Sequence, residues 1–88
     1  MADKNYFAHE TAVIDEGCEI GAGVKIWHFS HIMPGCNIGD GCNIGQNVVV
    51  SPAVVLGKNV KVQNNVSIYT GVTCGDLFRF GFSAKSRF

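Results

Sequence analysis

Apolar positions in this chain recur every six residues. Stepping by six from Ile14 gives Ile14, Ile20, Ile26, Ile32, Ile38, Ile44, Val50, Leu56, Val62 and Ile68, an unbroken aliphatic series. Two positions before each lies a second series: Ala12, Cys18, Val24, Ser30, Cys36, Cys42, Val48, Val54, Val60 and Val66, all small or β-branched. Residues i and i−2 face the same side of an extended backbone, so each hexapeptide predicts a short strand with two inward side chains. Three residues after each aliphatic comes a third series: Gly17, Gly23, Phe29, Gly35, Gly41, Asn47, Ala53, Asn59, Asn65 and Gly71. Gly and Asn adopt a left-handed backbone at little cost, so these positions predict turns. Helix is excluded by the period and by the Gly and β-branched content.

A longer period sets how many strands make one coil. Gly21, Gly39, Gly57 and Gly75 align at intervals of 18 residues, as do Pro34 and Pro52. Three hexapeptides per coil make a triangular prism, with successive coils stacked about 4.8 Å apart, the spacing of parallel strands. The predicted fold is therefore all-β, a parallel β-helix of hexapeptide repeats. Residues 9–74 fill three to four coils, residues 1–8 form a lead-in and residues 75–88 an atypical tail. In that tail, GDLFRFGFSAKSRF, four of the six phenylalanines appear and no Val or Ile. Gly75 keeps its column and Phe80 falls on the aliphatic step, but Phe78 is large for a small-residue site.

Composition narrows the partners. The 88 residues make one domain at most, and seven basic residues balance seven acidic ones. Zero net charge removes the broad basic field that nucleic acid or an anionic membrane would require. The apolar runs, such as Val48 to Val50 and Ala53 to Leu56, are far too short to cross a bilayer. No basic stretch followed by an apolar run opens the chain, so a cytoplasmic protein is the expectation. The four cysteines are spaced 18, 6 and 32 residues apart, without the close pairs of structural zinc, so no metal is expected. Cys18, Cys36 and Cys42 fall in the small series and Cys74 on the aliphatic step, which reads as core.

The three corners of the prism differ in chemistry. One carries Gly21-Ala22-Gly23, Gly39-Asp40-Gly41 and Gly57-Lys58-Asn59; the next carries Asp15-Glu16-Gly17, Met33-Pro34-Gly35, Ser51-Pro52-Ala53 and Tyr69-Thr70-Gly71. The third stacks Trp27-His28-Phe29, Gly45-Gln46-Asn47 and Gln63-Asn64-Asn65, two large aromatics, a histidine and five amides in one strip. Uncharged amides offer donors and acceptors that suit sugar hydroxyls, an acetamido group or a uracil edge. Asn47 and Asn65 occupy the turn series, where a backbone role is favoured. His28, Gln46 and Asn64 stand mid-turn and point outward, where pattern alone leaves binding and plain surface equally open. His28 also has the chemistry of a general base. His28 and His31 invite a metal reading, but no histidine follows His31 to supply a ligand from a later coil, and His9 lies too early.

The phrase HETAVIDEGCEIGAGVKIWHFSHI, followed by GQNVVV and VQNNVSIYTGVTC, resembles a subfamily of left-handed β-helix acyltransferases over roughly residues 8–74. Those enzymes are N-acetyltransferases acting on UDP-2-acetamido-3-amino-2,3-dideoxy-glucuronate, a precursor of cell-surface polysaccharide. The resemblance implies the left hand of the coil, acetyl-CoA as co-substrate and a UDP-linked amino sugar as acceptor. It also implies a homotrimer with sites between neighbouring subunits. On this chain it points to His28, Gln46, Asn64, Asn65 and Tyr69 as substrate-binding residues, with the catalytic residue unassigned. The subfamily continues with G-P-S and F-T-N phrases, the asparagine of the latter beside the reacting amine, and then an acetyl-CoA-binding region. Neither phrase occurs here. The tail reads either as a native cap or as the product of a reading frame shifted after Cys74, and the abrupt change of composition favours the second. Two other functions stand beside the acetyltransferase: a non-catalytic oligomerisation scaffold and, more remotely, a zinc-dependent carbonic anhydrase-like β-helix.

Overall fold

The structure, a computed structural model, describes residues 5–81 and the strand backbone at 85–86. The outermost parts of the expected lead-in and tail lie outside the described residues.

Every strand is two residues long. In chain order they are β1 (Phe7–Ala8), β2 (Val13–Ile14), β3 (Glu19–Ile20), β4 (Lys25–Ile26), β5 (His31–Ile32), β6 (Asn37–Ile38) and β7 (Asn43–Ile44). There follow β8 (Val49–Val50), β9 (Val55–Leu56), β10 (Lys61–Val62), β11 (Ser67–Ile68), β12 (Thr73–Cys74), β13 (Arg79–Phe80) and β14 (Lys85–Ser86). They sort into three parallel sheets, ordered β1-β4-β7-β10-β13, β14-β11-β8-β5-β2 and β12-β9-β6-β3. Each strand pairs with the strand three places on, in 18-residue register: Lys25 opposite Asn43, Asn43 opposite Lys61, Lys61 opposite Arg79. Each sheet is one wall of a triangular prism. The first holds five rungs, hence four coil intervals from β1 to β13. The ladder runs on past Cys74 into β13 and β14.

The core is a set of vertical columns. Register puts Ile26, Ile44, Val62 and Phe80 one above another, each at most 3% exposed. The small series fills the space beside them: Val24, Val48, Val54, Val60 and Val66 are fully buried. Cys36 and Cys42 are buried in the same series, and Cys74 on the aliphatic step. All three, with half-buried Cys18, are free thiols. Burial pushes the thiols of Cys36, Cys42 and Cys74 above their ordinary range, because the thiolate would lose its hydration. Ser30 is the buried polar member; its hydroxyl donates to Gly45 O at 2.6 Å and accepts from Val48 N at 3.0 Å.

The turns explain the third series. Gly17, Gly23, Gly35, Gly41 and Gly71 have φ between 72° and 78°, and Asn47, Asn59 and Asn65 between 55° and 65°. Phe29, Ala53 and Leu77 hold the same left-handed conformation despite a Cβ, at a cost of roughly 1–2 kcal/mol each. This geometry lets the left-handed residue donate its N–H to the middle of the turn one coil earlier, as Asn47 does to His28 O and Asn65 to Gln46 O, both at 2.9 Å. Side chains reinforce the stack. Asp40 Oδ1 accepts from Ala22 N, Asp76 Oδ1 from Lys58 N and Asn64 Oδ1 from Gln46 N, at 2.8–2.9 Å. No helix of the described residues is long and apolar enough to cross a membrane.

Candidate functional site

The corner between the β1-β4-β7-β10-β13 wall and the next bears a groove of about 860 Å³, open to solvent. Two columns build it. Turn residues Trp27, Gly45, Gln46, Gln63, Asn64 and Asn65 form one side. The outward residues of the adjoining strands, Asn43, Lys61 and Arg79, form the other. The strip of Trp27, Gln46 and Asn64 thus shares one edge, as the 18-residue period predicts.

Hydrogen bonds determine what the amides present. Trp27 Nε1–H donates to Asn43 Oδ1 at 2.8 Å, which fixes the amide and leaves its NH₂ as a donor. Asn64 is held the same way: its Oδ1 accepts from Gln46 N, and its NH₂ remains a donor. That contact is the same inter-coil bond Asp40 and Asp76 make at another corner, so Asn64 has a structural task as well as an exposed donor. Gly45 allows the close approach: a Cβ there would stand 2.5 Å from Asn64 Oδ1 and 3.0 Å from Val62 O. No carboxylate of the described residues lines the groove.

Of the five residues the sequence singles out, Gln46, Asn64 and Asn65 line this groove. His28 lies one coil earlier on the same edge, outside the lining. Its ring stacks on His9 at 3.7 Å between centroids, and its Nδ1 is buried without a hydrogen-bond partner among the described residues. Trp27 is packed between Phe7, 5.2 Å away, and His28 at 6.5 Å. Tyr69 belongs to the neighbouring corner with Pro34 and Pro52, so a single copy of the chain does not bring it to the groove. Asn43, Lys61 and Arg79 are the lining residues that reading turn by turn misses. Their signal is present in the sequence: Lys25, Asn43, Lys61 and Arg79 recur at 18-residue intervals, each just before an inward aliphatic or phenylalanine. His31, the other histidine of the metal reading, pairs instead with Asp15, Nε2 to Oδ2 at 2.7 Å.

Comparison with known proteins follows the same repeat. The model of the bacterial transferase hexapeptide (six repeats) matches residues 17–52, and that of the hexapeptide repeat of succinyl-transferase matches residues 36–70. Together they run through more than half of the chain. The chain belongs to the hexapeptide-repeat family. Coils built from hexapeptide repeats turn left-handed, so this hexapeptide-repeat chain is a left-handed parallel β-helix. A curated relative, the acyl-[acyl-carrier-protein]–UDP-N-acetylglucosamine O-acyltransferase of Brucella anthropi, is 46% identical over 37 residues, 42% of this chain and 13% of that enzyme. A solved structure is similar at 17% identity and a TM-score of 0.41, covering 92% of this chain and 56% of the other. It is the H141N mutant of perosamine N-acetyltransferase from Caulobacter crescentus, in complex with CoA and GDP-perosamine. The chain therefore spans well under two thirds of the length of either protein.

Proposed function

We propose that this hexapeptide-repeat chain is the sugar-nucleotide-binding part of an N-acetyltransferase whose acceptor is the amine of a UDP-linked amino sugar and whose donor is acetyl-CoA. The observation that carries the reading is the groove itself, where Gln46, Gln63, Asn64 and Asn65 line one edge beside Asn43 and Lys61. Neutral amide donors beside a cation match a polyhydroxylated sugar joined to an anionic nucleotide. The phrases IWHFSHI, GQNVVV and QNNVSIY, which resemble the UDP-amino sugar enzymes, supply Trp27, Gly45, Gln46, Gln63, Asn64 and Asn65 of the same groove.

The reaction needs little covalent chemistry from the protein. The neutral amine attacks the thioester carbonyl, the C–N bond forms, the C–S bond breaks, and coenzyme A leaves as its thiol with the proton that nitrogen gives up. Such a site contributes positioning of the amine and donors for the developing oxyanion. Gln46, Asn64 and Asn65 hold the sugar by its hydroxyl and acetamido groups. His28 and Tyr69 enter this reading through a homotrimer, in which the groove of one chain faces the edge of another. The enzyme works in the cytoplasm, where both substrates are made, and supplies precursors of cell-surface polysaccharide.

Melting the purified chain with and without the UDP-amino sugar tests binding. A ligand at a hundred times its Kd adds about 2.7 kcal/mol, a readily measured rise in melting temperature. Thiol release in the presence of acetyl-CoA tests turnover. A melting temperature unmoved by the sugar nucleotide, with no thiol released, leaves the non-catalytic scaffold as the better account.

A further inference from the structure

The net charge of zero conceals a local cationic ladder. Register places Lys61 directly opposite Arg79 on the outward face of the first wall, with Asn43 on the rung before. Neither cation has a carboxylate partner among the described residues. Two like charges one rung apart repel each other, an arrangement relieved by an anion between them. Asn43 and Asn64 add to the same surface; each amide oxygen accepts a bond, from Trp27 Nε1–H and from Gln46 N–H, and each NH₂ remains as a donor. These positions of the groove thus present donors and positive charge and no carboxylate.

We propose that Lys61 and Arg79, with the amide nitrogens of Asn43 and Asn64, form a binding site for a diphosphate group. Rungs about 4.8 Å apart suit a ligand with two adjacent phosphoryl groups, one for each cation. Monodentate Lys61 and forked Arg79 supply charge-assisted bonds, and the amides donate to the remaining non-bridging oxygens. The site deepens the sugar-nucleotide reading and rests on it only for the source of the ligand, since a UDP-sugar and coenzyme A each carry a diphosphate.

Titration calorimetry of the full chain with inorganic pyrophosphate at low ionic strength tests the site. Wild type binds, Lys61→Gln and Arg79→Gln each weaken binding about tenfold or more, and Lys58→Gln, at a different corner, leaves it unchanged. Circular dichroism of each exposed-site variant confirms the fold. Absence of binding by the wild type, or equal weakening by Lys58→Gln, overturns the proposal. Competition then identifies the source: displacement of pyrophosphate by UDP points to the sugar nucleotide, displacement by coenzyme A to the acyl donor. Pyrophosphate binding that neither compound displaces keeps the anion site and removes the sugar-nucleotide reading. UDP binding indifferent to Lys61→Gln and Arg79→Gln does the reverse.

Discussion

Gly45→Ala is the sharpest probe of how the groove is built. Gly45 is not among the left-handed residues, so alanine adds no backbone strain there. The problem is space: the new Cβ would lie 2.5 Å from Asn64 Oδ1 and 3.0 Å from both Asn64 N and Val62 O. Asn64 must rotate away, breaking its bond to Gln46 N, worth about 0.5–1.5 kcal/mol. The backbone contacts cannot rotate away, and overpacking of this kind costs about 1–3 kcal/mol. The expected loss is therefore about 2–4 kcal/mol. Asn64→Ala alone gives up only the hydrogen bond, about 1 kcal/mol, since Gln46 N is then free to bond water. In the double variant the side-chain clash has already gone, so Gly45→Ala costs about 1 kcal/mol less than in wild type. Urea denaturation followed by circular dichroism, at one protein concentration for all four proteins, measures the cycle. Strictly additive costs would mean that Asn64 is not the residue Gly45 makes room for, and the groove geometry would have to be redrawn.

Other consequences are equally open to measurement. Ile44→Ala empties part of a fully buried column and should cost about 2–5 kcal/mol by the same denaturation. Phe29, left-handed at φ 59° and 65% exposed, should become about 1 kcal/mol more favourable as Asn in the isolated chain. Light scattering on that variant should show weaker self-association if the ring is covered by a second copy. Burial raises the thiols of Cys36, Cys42 and Cys74, so the folded chain keeps protons that the unfolded chain releases. Stability should be unaffected below the ordinary thiol value of 9.0 and fall as pH rises above it. Cys42→Val should flatten that alkaline decline in a pH series of melting curves, and an unchanged slope would refute the assignment.

The coil was legible in the residues because its causes are periodic and local. A six-residue step reports which side chains face inward, and Gly or Asn three residues later reports where the backbone must turn left-handed. Since one coil takes 18 residues, the same arithmetic aligns Trp27, Gly45 and Gln63 along one edge before any coordinate is known. Even Phe29 and Ala53, which look wrong for such turns by propensity, were identified by place in the series. What the three-dimensional structure alone decided was how side chains lean around the corner. That lean brings Asn43, Lys61 and Arg79 of the wall into the groove of the turns, and leaves His28 stacked on His9 outside it. It also engages the oxygens of Asn43 and Asn64 with neighbouring N–H groups, which fixes how these amides lie. Repetition along a chain encodes the path of the backbone, whereas the direction of each polar group depends on neighbours one coil away and on rotamers the period does not specify.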